Sequence, residues 1–241
     1  MSLGHHTTVG CSPVPALRVM TYNVRSMRDD RGALGRMIGS AEPDVVLVQE
    51  APRFARWRSL CAELARRSGL VVVGGGRPAA ANLILTSLRV DVAATHDVRF
   101  STDPGLHHRG AAIAVLRLGD TRFAVAGTHL DLREPPRLRH VDELNEAVAR
   151  HVPDGVPVIV GGDLNDRPGS RTWQAIEAGR VDVWAAAGQG DGFTSTAADP
   201  HQRIDALFAD PRWVPRRARV VRHPDEAAAS DHLPLVADLD L

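Results

Sequence analysis

The stretch "VPVIVGGDLND", residues 156–166, decides how the chain reads. The β-branched run around Pro157 reads as a buried strand. It stops at two glycines, and Asp163, Asn165 and Asp166 follow within four positions. A strand covered on both faces has room for charged groups only where it leaves the core. The stretch therefore predicts a buried strand whose end carries chemistry.

Other segments repeat this pattern. "LRVMTYNV" (17–24) and "PDVVLVQE" (43–50) read as strands with polar ends. "LVVVG", "NLILTS" and "VDVAATHDV" are shorter strands, and "GD" between the apolar runs of 110–130 signals a hairpin. Late strands are expected at "RIDALFA", "ARVVRH" and "LPLVADLDL". Apolar spacing predicts helices over 33–41, 54–69, 135–152 and 170–179, with Pro opening the third and Ser the fourth. Strands outnumber helices, and helices fall between strands, so the expectation is a mixed α/β sandwich. No linker or repeat divides residues 17–241, which read as a single domain. Residues 1–16 are expected to be disordered or vector-derived.

Composition narrows the class. The 241 residues are 44% hydrophobic, too apolar for a disordered chain. No apolar run approaches the roughly 20 residues that span a bilayer, and no signal-peptide pattern opens the chain. A cytoplasmic monomer is expected, with secretion left open if the N-terminus is truncated. Basic and acidic residues balance at 29 each, so net charge gives no general attraction to nucleic acid or membranes. Every basic residue is Arg, which reads as compositional bias. Cys11 and Cys61 have no metal or redox spacing and are expected to be free thiols.

The chemically capable residues gather at strand ends. Asn23 follows "VMTY", Gln49 and Glu50 follow "VVLV", and His129 follows "VAGT". Asp163 and Asn165 follow "VIVGG", Asp205 lies inside "RIDALF", and Asp231 and His232 precede the last strand. Any one of these alone is an ordinary turn residue. Six such edges together imply one pocket. Glu50, Asp163, Asn165 and Asp231 offer oxygen ligands suited to Mg²⁺ or Mn²⁺. Phosphate-loop, nucleophile-elbow and zinc patterns are missing, so an activated water is the natural attacker. His129 and His232 can donate to phosphate oxygens, Asp163 can take a proton, and Asp205 can hold a His ring.

In order, "TYN", "VQE", "THLD", "GGDLN", "RIDALF" and "SDH" resemble the endonuclease/exonuclease/phosphatase superfamily of deoxyribonuclease I-like, metal-dependent phosphoesterases. The resemblance implies a four-layer α/β (α+β) sandwich, two packed mixed β-sheets flanked by helices. It implies Glu50 as main Mg²⁺ ligand with Asn23 beside it, and Asp231 helping to place metal or His. Asp163 and Asn165 resemble the pair that positions the water. His232, paired with Asp205, resembles the His that stabilises the transition state or acts as base, and His129 resembles the other catalytic group, near the leaving oxygen. Asn23 and Arg109 are expected to contact substrate, and His107 and His108 to lie at the rim. Asp166 reads as a turn or capping residue. Arg25 and His129 depart from the apurinic-endonuclease pattern and make abasic-site repair doubtful.

The expected function is hydrolysis of a phosphate mono- or diester by direct water attack. One alternative is a nuclease on DNA or RNA, and another is a binding module with a decayed site. Aromatic residues are only 4%, which argues against an extended base-stacking platform. Trp57, Trp173, Trp184 and Trp213 fit core or rim packing. "RFARWR" (53–58) and "RRARVVR" (216–222) read equally well as phosphate contacts or solvated faces. Phe193 and Thr194 are candidates for the pocket border.

Overall fold

A computed structural model describes residues 17–241. The expectations for residues 1–16, Cys11 among them, lie outside the described residues. In chain order the first half holds β1 (Leu17–Asn23), α1 (Arg31–Gly39), β2 (Val45–Gln49), α2 (Trp57–Ser68), β3 (Val71–Gly76), β4 (Asn82–Thr86), β5 (Val90–Arg99) and β6 (Gly110–Leu118). It continues with β7 (Thr121–His129), α3 (Glu134–His151), β8 (Val158–Asp163), α4 (Arg171–Glu177), β9 (Val181–Asp182), α5 (Val183–Ala187), β10 (Asp205–Ala209), β11 (Val214–Val220), α6 (Glu226–Ala229) and β12 (Leu235–Asp240).

The strands form two six-stranded sheets, in the orders β11-β12-β1-β2-β4-β3 and β5-β6-β7-β8-β10-β9. Each sheet has one parallel pair near its middle, β1–β2 in the first and β7–β8 in the second. A helix makes the crossover each time, α1 and α3 respectively. All other pairings are antiparallel, so both sheets are mixed. One core cluster fills the space between the sheets. A second packs the first sheet under α1 and α2, and a third packs the other sheet under α3 and α4. The result is the expected four-layer sandwich.

Strand parity explains where the site goes. Val19, Leu47, Val125, Ile159 and Leu207 belong to the inter-sheet core. Their neighbours Met20, Val46, Ala126, Val160 and Phe208 face the helical layers. Side chains alternate with period two. Asn23, Gln49, His129, Asp163 and Asp205 therefore share the parity of the inter-sheet residues, at the end of that layer. Register agrees, because Asn23 pairs with Gln49, and Asp163 pairs with both His129 and Asp205.

The two glycines of the deciding stretch have separate jobs. A Cβ on Gly161 would lie 2.5 Å from Leu207 Cδ2 and 3.1 Å from Leu47 Cδ1, so the sheets close tightly only if it is absent. Gly162 adopts φ of +151°, and a Cβ there would sit 1.8 Å from the Thr128 carbonyl oxygen.

The last part of the chain departs from the sequence reading. The strand expected at 218–223 starts at Val214 and ends at Val220. It is an edge strand with only Ala218 buried, so it lacks the apolar run that marks its neighbours. The two-residue β9 and the short α5 and α6 carry no periodic signal.

Gly162→Ala is expected to destabilise at or beyond the upper end of the roughly 1–3 kcal/mol typical of overpacking, because a backbone carbonyl cannot step aside. Gly161→Ala meets the end of a leucine side chain as well as the Ala206 carbonyl and is expected to cost less. Urea denaturation midpoints of the two variants check the order.

Candidate active site

Asn23 joins the two sheets. It ends β1, and its amide nitrogen donates to Asp163 Oδ2 at 3.0 Å and to Glu50 Oε1 at 3.3 Å. Its Oδ1 accepts the Arg25 backbone N–H at 3.0 Å, which fixes the direction of the amide. One nitrogen thus spaces two carboxylates from different sheets. Asp163 is 2% exposed, and its other oxygen accepts the Asn165 N–H at 3.0 Å. Both oxygens are therefore tethered.

Asn165 turns the chain at φ of +50°, a conformation that Asn tolerates better than most residues. Its side-chain nitrogen donates to the Leu130 carbonyl at 3.0 Å and also reaches His129 Nε2 at 3.0 Å. The carbonyl contact identifies that atom as the donor, so His129 Nε2 is the acceptor and the ring is neutral with its proton on Nδ1. Burial acts in the same direction. It pushes His129 down to about 3, against the pull of Asp163 and with Arg109 and His232 adding to the depression. His129 Nε2 lies 3.4 Å from Asp163 Oδ2.

His232 is the opposite case. Burial works against its charge, yet Asp205, Asp163 and Asp231 outweigh it and raise the ring to about 10. Nδ1 lies 2.8 Å from Asp205 Oδ2, and Nε2 lies 3.8 Å from Asp163 Oδ2. Asp205 is 0% exposed. The same Oδ2 accepts the Thr194 hydroxyl at 2.6 Å, while Oδ1 has no partner. Ser230 fixes the approach of this segment. Its hydroxyl donates to the Asn23 carbonyl at 2.8 Å and accepts the His232 N–H at 3.4 Å.

The structure thus brings Asn23, Glu50, His129, Asp163, Asn165, Asp205 and His232 to one edge. Asp231 sits beside them, but its carboxylate is 43% exposed and pairs with Arg25 at 3.1 Å. Arg109, half-buried, lines a cavity of about 340 Å³ together with Glu50 and His129. Burial lowers the affinity of Arg109 for its proton, with Asp163, Asp131 and Glu50 opposing, and its Nε is buried without a partner. A buried guanidinium with a spare donor suits an incoming anion. Asp166 instead accepts from Arg137 at 2.9 Å and from the Arg167 N–H at 3.0 Å, a structural role.

Asp163, Asp205 and His232 present ligand atoms within 4.8 Å of one another, a group that can hold a divalent cation. His232 holds its proton and is engaged by Asp205, so the oxygen donors left to a hard ion at this edge are Asp163 and, across the shared Asn23 amide, Glu50. Glu50 and Asp231, which the resemblance assigns to metal, lie outside that group. Glu50 nevertheless forms no ion pair among the described residues. Sequence reasoning missed Ser230 and the Arg25–Asp231 pair, and placed Thr194 only at the border. For Ser230 the hydroxyl that opens "SDH" was the available signal.

The sign of the His232 shift sets a pH dependence. A ring raised from about 6.5 to about 10 adds stability that is fully present below the unfolded value. That stability is lost as pH rises through the folded value. The wild-type melting temperature is expected to fall between those limits, and Asp205→Asn to flatten the fall. Thermal melts of both proteins from pH 6 to 10 check this.

A family model described as Endonuclease/Exonuclease/phosphatase family matches residues 20–232. Among solved structures, an endonuclease/exonuclease/phosphatase from Bacteroides vulgatus superposes with TM-score 0.79 at 20% identity, covering 93% of this chain and 98% of that one. The Bacteroides thetaiotaomicron mannosyl-6-phosphatase Bt3783 gives TM-score 0.79 at 16% identity, covering 93% and 100%. D. rerio TDP2 complexed with single-strand DNA product gives 0.73 at 18% identity, covering 93% and 99%. A comparison with curated proteins returns no significant match. Among the described residues no helix is long and apolar enough to cross a membrane.

Proposed function

Because the chain belongs to the endonuclease/exonuclease/phosphatase family, we propose that it is a divalent-metal-dependent phosphoesterase that hydrolyses a phosphate mono- or diester by direct attack of water. The observation that carries this reading is the Asp163 carboxylate. Both of its oxygens are tethered, and it lies between a charged His232, a neutral His129 and the Asn23 amide shared with Glu50. Fold-level likeness to a mannosyl-6-phosphatase and to a DNA-bound protein does not choose between a monoester and a diester.

Glu50 and Asp163 are the residues that would hold the cation, because Glu50 forms no ion pair among the described residues whereas Asp205 is already engaged by His232. A bound Mg²⁺ or Mn²⁺ supplies neutralisation of phosphate charge and lowers the pKa of a coordinated water. The chain's own groups do the rest. Asn165 and Asn23 hold Asp163 where it can orient a water and accept its proton. His232, charged and braced by Asp205, donates to a phosphate oxygen as negative charge grows. The spare Arg109 Nε–H offers a charged donor to a remaining oxygen.

With bis-p-nitrophenyl phosphate and Mg²⁺, Asp163→Asn and His232→Gln are each expected to lower kcat by on the order of a hundredfold or more. KM is expected to change less, because these contacts tighten in the transition state. Steady-state kinetics on variants of unchanged circular dichroism checks this. Undiminished turnover in EDTA overturns the metal-dependent reading. A single turnover of a chiral thiophosphate ester in ¹⁸O-water is expected to invert at phosphorus, and net retention overturns direct attack.

A further inference from the structure

A second cavity, of about 680 Å³, adjoins the catalytic one. The two share Arg53, Phe54, Ala80, His107 and His108 as lining. It lies between the 53–57 segment that leads into α2 and the loop that carries His107 and His108. Its size is that of a site enclosing a small ligand or one unit of a polymer.

Its charge is unusual for a chain of zero net charge. Arg28, Arg53, Arg56, Arg77, Arg99 and Arg109 line one cavity or the other, and Glu50 is the only carboxylate in either lining. None of these six arginines forms an ion pair among the described residues. Elsewhere arginines do pair with carboxylates, as in Arg137–Asp166 and Arg203–Asp182. Arg99 has a structural task, donating to the Arg77 and Pro78 carbonyls at 3.1 Å. Arg53, Arg56 and Arg77 are left with charge to offer. α2 also starts here on Arg56, at φ of +60° and with no side-chain cap, so the positive end of its dipole adds to the field.

The aromatic residues divide the work. Trp57 is a wall. A Cβ on Gly76 would meet its ring at 2.5 Å, and Arg58 lies over the ring at 4.4 Å. Phe54 is 76% exposed, lines both cavities, and carries Arg53 at 5.3 Å from its ring centre. An exposed ring among unpaired guanidiniums matches a ligand with a flat apolar face and phosphates on either side. A sugar monophosphate lacks the phosphates on either side, and an inositol phosphate lacks the flat apolar face. A duplex keeps its bases paired and offers none without unstacking.

We propose that this cavity is a second subsite, which takes the next phosphate of a single-stranded oligonucleotide on Arg53, Arg56 and Arg77 and stacks a base on Phe54. The proposal rests on the phosphoesterase reading of the adjoining pocket and names its substrate class. The scissile phosphate lies in the smaller cavity at Glu50, Arg109 and His129, and the strand passes Phe54 into the larger one.

The test is fluorescence anisotropy in EDTA with a labelled thymidine tetramer, the matching abasic tetramer and a short duplex, with inositol hexakisphosphate as competitor. The thymidine tetramer is expected to bind most tightly. Phe54→Ala is expected to weaken it about tenfold or more, down to the level of the abasic tetramer. Arg77→Ala is expected to reduce the slope of log affinity on log salt by about 1, whereas Arg122→Ala, at the far end of β7, leaves it unchanged. Equal binding of thymidine and abasic tetramers, tighter binding of the duplex, or displacement by inositol hexakisphosphate that Phe54→Ala does not alter would each overturn the proposal. Wild-type turnover of bis-p-nitrophenyl phosphate with Mg²⁺ separates the two levels. Turnover without oligonucleotide binding sinks the subsite alone, and absence of turnover sinks the phosphoesterase reading and the subsite with it.

Discussion

Leu47 of one sheet lies against Gly127 and Gly161 of the other, and everything at the active edge depends on that close approach. A Cβ at Gly127 would stand 3.4 Å from Leu47 Cβ, and one at Gly161 would be closer still to the leucine side chain. Larger residues at these places would spread the layers beyond their normal packing distance. The Asn23 amide could then no longer span from β1 to Asp163 at 3.0 Å. The paired carboxylates are thus a consequence of sheet packing as much as of their own identity. Gly127 and Gly161 serve the chemistry by removing volume between the sheets.

Given that spacing, the electrostatics follow from unequal surroundings. Two histidines flank one carboxylate. His129 is buried beside Arg109 and finds an amide donor at Nε2, so it stays neutral. His232 is equally buried but faces Asp205, Asp163 and Asp231, so it holds its proton. One ring accepts and the other holds its proton, although both lie against the same carboxylate. This separation of protonation states is the feature that suits the edge to a reacting phosphate.

Much of this was legible in the sequence because the signal was local and repeated. Each apolar run ends in a polar residue, and period two places Asn23, His129, Asp163 and Asp205 on the same face as the inter-sheet core. The hairpin at Gly119–Asp120 and the Gly69 stop of α2 are likewise written in neighbouring residues. What could not be read depends on distant segments meeting. The Arg25–Asp231 pair, the Thr194 hydroxyl on Asp205 and the Ser230 bridge to Asn23 join residues far apart in the chain. The edge strand β11 hid because only one of its residues is buried. The arginine-lined cavity hid for the same reason as the long-range contacts. "RFARWR" reads equally well as phosphate contacts or a solvated helix face until the 106–108 loop is placed against it.

Asn23 spaces Glu50 and Asp163, the two carboxylates proposed to share a divalent cation. Isothermal titration of Mn²⁺ into wild type, Glu50→Gln and Asp205→Asn tests that sharing most directly. Glu50→Gln is expected to weaken binding at least tenfold, while Asp205→Asn retains most of the affinity. Unchanged affinity in Glu50→Gln together with lost binding in Asp205→Asn would place the cation in the Asp163–Asp205–His232 group and contradict the account.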